Sequence, residues 1–182
     1  MSYNKYTCYV LCEDRDHFNF ISGYLKKKGV TREKIKLAKD YPEGRGDAKN
    51  FVRLNYTEEA RKIRQKPKNV LLIVLLDADE EDFENIVGSF DDKDNVFVAS
   101  PKRNIETWFY YFHNKGKADC VDESVDRKGG RREKALYKPS TCGELFVDII
   151  DNIRNGQTPL HLPPSLNATA QRIIELEKKY HR

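Results

Sequence analysis

The chain has 182 residues, of which 38% are hydrophobic and 34% charged, with a formal net charge of +4. That length suits one domain with a small appendage and a real core, beneath a surface richer in charge than usual. No apolar run reaches transmembrane length, residues 1–5 carry no signal-peptide core, and so small a net charge does not by itself identify a polyanionic partner.

Tyr6 to Cys12 reads as a first strand, followed at once by Glu13-Asp14. Phe18, Ile21 and Leu25 then recur at helical spacing, with Gly29 in the place of a helix C-cap. Lys34 to Ala38 is a weak second strand leading into a loop with Gly44-Arg45-Gly46. Asp47 is suited to cap a helix whose buried side draws on Phe51, Val52, Leu54, Tyr56 and Ile63. After Pro67 comes the uninterrupted apolar run Val70 to Leu76, which reads as a strand buried on both faces and ends in Asp77-Ala78-Asp79. A short helix with Phe83, Ile86 and Val87 precedes the strand Val96 to Ala99. Asn104 then suits the N-cap of a helix with Ile105, Trp108, Phe109 and Phe112 on one stripe. Strands alternating with helices predict right-handed crossovers and an α/β fold, with a mainly parallel sheet flanked by helices.

Beyond residue 113 the pattern changes. Residues 114–135 read as a charged, Gly-containing loop. Ser140 or Thr141 opens a helix with Leu145, Phe146, Ile149, Ile150 and Ile153 on its apolar side. A turn over 156–164 then precedes a last helix using Leu166, Ile173, Ile174 and Tyr180. This divides the chain into an α/β domain over 1–113 and an appendage over 114–182, a charged loop and helices packing on that domain. Cys8, Cys12, Cys120 and Cys142 form no CxxC pair. Cys8 and Cys12 are expected in the core, and a reducing cytoplasm is the simplest home. The four histidines, His17, His113, His161 and His181, are widely spaced and show no ligand pattern.

The chemistry is expected where strands end in acid. Ligands in open α/β sheets bind at the carboxyl ends of the strands, and two acids one residue apart can share one hard cation through oxygen ligands. Asp77 and Asp79 are therefore candidate ligands for Mg²⁺ or Mn²⁺, with Glu13 joining them from the first strand. Each has an ordinary alternative. Glu13 would also be favoured simply by the positive end of the helix that follows. Asp79 would serve as a helix cap, with Glu80, Glu81 and Asp82 complementing its dipole. Glu106, in the first turn of its helix, stands between the same two readings. Lys102 and Arg103 are either a phosphate clamp or a solvated loop pair. The Gly44-Arg45-Gly46 loop lacks a full nucleotide-binding motif, though its glycines permit close approach to phosphate. Arg131 and Arg132, in the basic stretch Arg127 to Lys134, suit contact with a nucleic-acid backbone or plain solvation.

The order of a strand then Glu13, a Gly44-Arg45-Gly46 loop, a strand then Asp77-Ala78-Asp79, and a strand then Asn104-Ile105-Glu106-Thr107-Trp108 resembles a small TOPRIM domain. It is most similar to stand-alone TOPRIM-like proteins related to the OLD-family nucleases of bacterial defence and mobile elements. The likeness covers residues 6–112. It implies a Mg²⁺-dependent nuclease acting on DNA or RNA, with Glu13, Asp77 and Asp79 as metal residues and Glu13, Glu106 and Lys102 as catalytic ones. Arg45, Lys102, Arg103, Arg131 and Arg132 would contact nucleic acid. It further implies an ATPase partner on a separate chain, since this one has no ATPase motif. Two other readings remain. A receiver-like phosphoacceptor domain would use Glu13-Asp14, Asp77 and Lys102, but needs a further strand and helix before Lys102. A catalytically inactive TOPRIM-like module would bind without cutting.

Overall fold

Four apolar segments pair, all in parallel, into one sheet of order β2-β1-β3-β4 in a computed structural model that describes residues 3–41, 48–78, 85–86, 88, 90, 95–102, 104–114 and 138–180. The strands are β1 (Thr7–Cys12), β2 (Ile35–Leu37), β3 (Val70–Leu75) and β4 (Val96–Ala99). Among the described residues, five long helices flank them: α1 (Arg15–Lys27), α2 (Ala48–Arg64), α3 (Ile105–His113), α4 (Pro139–Arg154) and α5 (Pro164–Tyr180). The fold is the expected α/β class. No helix among the described residues is long and apolar enough to cross a membrane.

Period-two alternation divides the strand side chains between two cores. Cys8, Val10 and Cys12 of β1, with Leu71, Ile73 and Leu75 of β3 and Phe97 and Ala99 of β4, face α1, α3, α4 and α5. Leu11, Leu72, Val74, Leu76, Val96 and Val98 point the other way, onto Val52, Tyr56, Ala60 and Ile63 of α2 and onto Ile86 and Phe90. β3 reads as continuous apolar sequence because helices cover both of its faces. On the first face Phe20 packs against the rings of Trp108, Phe109, Phe112 and Phe146 at centroid distances of 5.5 to 6.4 Å. The indole N–H of the fully buried Trp108 donates to Ser165 Oγ at 3.0 Å, tying α3 to α5.

Local chemistry sets the helix ends. Gly29 has φ +92 and follows the last turn of α1, with its N–H on Lys26 O and that of Val30 on Leu25 O. That paired closure needs a left-handed residue, which favours glycine. Asn104 caps α3 by accepting from the Thr107 N–H. α4 and α1 touch backbone to backbone: a Cβ on Gly143 would stand 1.9 Å from Phe20 O, and one on Gly23 2.0 Å from Ser140 O.

Three expectations need correction. Leu54 is 80% exposed and Leu145 41% exposed, so each lies outside the buried stripe of its helix. α4 starts at Pro139 in its first helical position, with Lys138 as a cap that makes no side-chain hydrogen bond, rather than at Ser140 or Thr141. Proline suits that place because the N–H it lacks has no partner there. The 115–135 part of the charged stretch, Asp47, Phe83 and Val87, and the Tyr180 side chain lie outside the description.

Candidate metal centre

The chain runs from β1 out to β2, then returns past β1 to β3 on its other side. The sheet's direction of growth therefore reverses between β1 and β3, and the crevice at their carboxyl ends is the ligand-binding position of such a sheet. The register from Thr7↔Val70 to Cys12↔Leu75 brings both strands to that edge together. Glu13 leaves one strand and Asp77 the other. Their contact is direct: the Asp77 backbone N–H donates to Glu13 Oε1 at 3.0 Å. Beyond Asp77, the Ala78 N–H donates to Pro101 O at 2.9 Å, which holds the end of β3 beside the segment leading to Lys102.

His17 completes the cluster. Asp14 is the N-cap of α1, its Oδ1 accepting from the Asp16 N–H at 2.9 Å and the His17 N–H at 3.0 Å. This fixes the first turn and presents the His17 ring to both sides. Nδ1 lies 2.8 Å from the same Asp14 oxygen and Nε2 lies 2.9 Å from Asp77 Oδ1. The ring is 2% exposed, Asp77 15% and Asp14 51%. One ligand atom each from Glu13, His17 and Asp77 lie within 4.8 Å of one another, close enough to hold a metal ion.

Charge explains the arrangement. A neutral imidazole has one N–H, yet both ring nitrogens here face carboxylate oxygens, so the geometry calls for the doubly protonated cation. Burial opposes that charge, but the Asp77 and Asp14 carboxylates outweigh it and hold His17 well above its usual value of 6.5. Burial pushes the Asp77 carboxyl up. His17 opposes the rise, while the charges of Glu106 and Asp14 add to it. Burial also raises Asp14, but its hydrogen bonds and the charge of His17 prevail and hold it below the usual carboxylate range. Cys12, whose Sγ donates to Asp14 O at 3.3 Å, is pushed by burial to about 12 and stays a thiol. Cys8, Cys12 and Cys142 are all free and buried.

Of the sequence-predicted residues, the structure brings some together, places others on neighbouring segments and does not describe the rest. Glu13 and Asp77 meet. Glu106 is half-buried in the first turn of α3, within electrostatic reach of Asp77. Lys102 is exposed, on the segment between β4 and α3. Asp79, Arg45, Arg103, Arg131 and Arg132 fall outside the described residues. His17, which histidine spacing did not single out, joins this cluster as the hydrogen-bond partner of Asp14 and Asp77. Its signal was Asp14-Arg15-Asp16-His17: a capping acid right after a buried strand, with the histidine three residues on and so beside the cap.

The donor set fits a hard divalent cation. Carboxylate oxygens suit Mg²⁺ and Mn²⁺, whereas imidazole is the better partner of softer metals. Both nitrogens of His17 are already directed at carboxylates, so it serves as the donor that orients Asp77, the outer-shell role that a metal-binding carboxylate ordinarily requires. No protein-family model, curated protein or solved structure matches this chain.

Proposed function

We propose that the chain is a metal-dependent phosphodiester-cleaving enzyme acting on DNA or RNA, with Glu13 and Asp77 holding Mg²⁺ or Mn²⁺. The observation that carries this reading is the meeting of Glu13 and Asp77 in the β1/β3 crevice, with His17 braced against Asp77. When bound, the ion would polarise the scissile phosphate and steady the leaving oxygen.

The protein's own groups supply the rest. The His17 ring holds Asp77 Oδ1, so the carboxylate does not have to be immobilised by the cation alone. The Asp77 N–H fixes one oxygen of Glu13. Glu106, on the α3 side of the same edge, is the candidate base that takes the proton of the attacking water. Lys102 would offset the negative charge that builds on the phosphate. Asp79 is proposed as a further ligand, and Arg45, Arg103, Arg131 and Arg132 as backbone contacts. The resemblance to small TOPRIM-like proteins adds a role in bacterial genome defence, beside an ATPase on a separate chain.

The test is incubation of the chain with end-labelled DNA and RNA, with millimolar Mg²⁺ or Mn²⁺ or with EDTA. Cleavage should require the metal and be lost in Asp77→Asn. Lys102→Ala should lower turnover far more than affinity, because it removes an interaction made mainly in the transition state. Metal-dependent cleavage retained in Asp77→Asn would reject the reading.

A receiver-like phosphoacceptor is the second reading, since Asp77 lies between β1 and β4 at the edge where such a residue belongs. Against it, β4 pairs directly with β3 and leads straight to Lys102, and the described residues show no fifth strand. Acetyl phosphate separates the two: one phosphate incorporated per chain, lost in Asp77→Asn, would favour the receiver.

A further inference from the structure

The opposite edge of the sheet carries the reverse charge. Residues 3–5, 26–36 and 61–69 hold twelve Lys and Arg and a single acid, Glu33, while the rest of the chain has 21 bases against 28 acids. These segments converge because each feeds the amino end of a strand, or closes a helix that runs back to it. The parallel pairing sets the starts of β2, β1 and β3 side by side, at roughly 4.8 Å per strand. Contacts between the segments fix them further. Lys34 Nζ donates to Asn4 O at 2.5 Å, Asn69 Nδ2 to Lys5 O at 3.2 Å, and the Thr7 N–H to Asn69 O at 2.9 Å.

Part of this charge has ordinary employment. Lys28 pairs with the buried Glu177, where α5 ends, and Lys62 with Glu58 and Glu59. Lys26 and Lys27 in the last turn of α1, and Arg61 and Arg64 in the last turn of α2, complement helix dipoles. Lys5, Arg32, Lys66 and Lys68 lie outside those helices and are exposed, so neither account covers them.

We propose that this amino-terminal edge of the sheet is a docking surface for the phosphate backbone of a nucleic acid, bound without regard to sequence. With twelve bases against one acid, these segments attract a polyanion wherever else on the chain it is also held. A duplex offers one charge per about 1.7 Å of axis, so an edge three strands wide meets several phosphates at once. Anionic lipid is disfavoured. Stable membrane attachment uses apolar side chains that enter the bilayer, and the exposed large hydrophobics among the described residues, Leu54, Leu145 and Leu160, all lie outside these segments. The edge is a strand's length from the Glu13–Asp77 crevice, about 20 Å over the six residues of β1. It therefore binds whether or not that crevice cuts.

The test measures affinity of the full chain for fluorescent mixed-sequence duplex and single-stranded oligonucleotides, in EDTA, across a range of salt. Lys66→Glu/Lys68→Glu should weaken binding at least tenfold near physiological salt and flatten the log–log salt slope by about two units. The same charge change placed away from this edge, Lys39→Glu/Arg53→Glu, should weaken it much less. Melting curves should show both variants folded. Equal losses in the two variants, a parent whose binding ignores salt, or anionic phosphatidylserine vesicles bound as tightly as the oligonucleotides would each overturn the proposal. Failure of the cleavage assay would not, because the metal is absent here.

Discussion

Replacing His17 with leucine removes the cation set between Asp14 and Asp77, and its cost can be worked from the geometry. Two hydrogen bonds to charged groups are lost, at 2.8 and 2.9 Å. The Asp14 side is half exposed, so solvent screens it and it contributes little. The Asp77 side is 15% exposed and the ring 2%. Removing one partner of a buried pair costs about 3–5 kcal/mol, so we expect about 3 kcal/mol at pH 6. In a chain of this size that lowers Tm by roughly 6–12 °C. Leucine cannot recover the loss, since it brings no donor to the stranded carboxylate.

The same residue sets a pH signature. The folded-state value of His17 lies above its unfolded value of about 6.5. Its contribution is therefore complete below pH 6.5 and is lost as pH rises through the folded value. Over that window the parent should lose up to ~1.4 kcal/mol per pH unit from this group, and the leucine variant should lose that slope. Urea denaturation at pH 6, 7 and 8, in metal-free buffer, measures both effects. A variant with the parent's midpoint at pH 6, or the same pH slope in both proteins, would refute the reasoning.

Two further outcomes follow from the packing. Gly143→Ala drives a Cβ to 1.9 Å from the Phe20 carbonyl, backbone that cannot rotate aside; a loss of about 2–3 kcal/mol in chemical denaturation is expected, and a loss under ~0.5 kcal/mol would mean the helices separate easily. Asn104→Ala removes the side-chain acceptor of the Thr107 N–H and should cost about 1 kcal/mol, with Asn104→Ser recovering most of it in the same denaturation experiment.

Much of the fold was legible because its signals are local. The apolar run of β3, the Gly29 closure and the Asn104 cap each depend on residues within one turn or strand. Glu13 and Asp77 were legible as strand-end acids, and their meeting required only that β1 and β3 be neighbours. His17 was not. Its partner Asp77 lies 60 residues away, and counting histidine spacings along the chain cannot see a partner of a different type. Leu54 and Leu145 failed for a related reason. Helical periodicity marks a stripe, but how wide a stripe is covered depends on what packs there, and these two fall outside it. The basic edge was illegible too, since its three segments are adjacent only once the strands pair.

The account stands on the β1/β3 crevice being a divalent-cation site, and the melting temperature of the chain with and without Mn²⁺ tests it most directly. A cation at about 100 times its Kd stabilises the folded state by ~2.7 kcal/mol, roughly 5–11 °C for a chain of this length. The parent should show a rise of that order, and Asp77→Asn/Asp79→Asn should show none. An equal rise in the double variant would place the ion elsewhere and contradict the account.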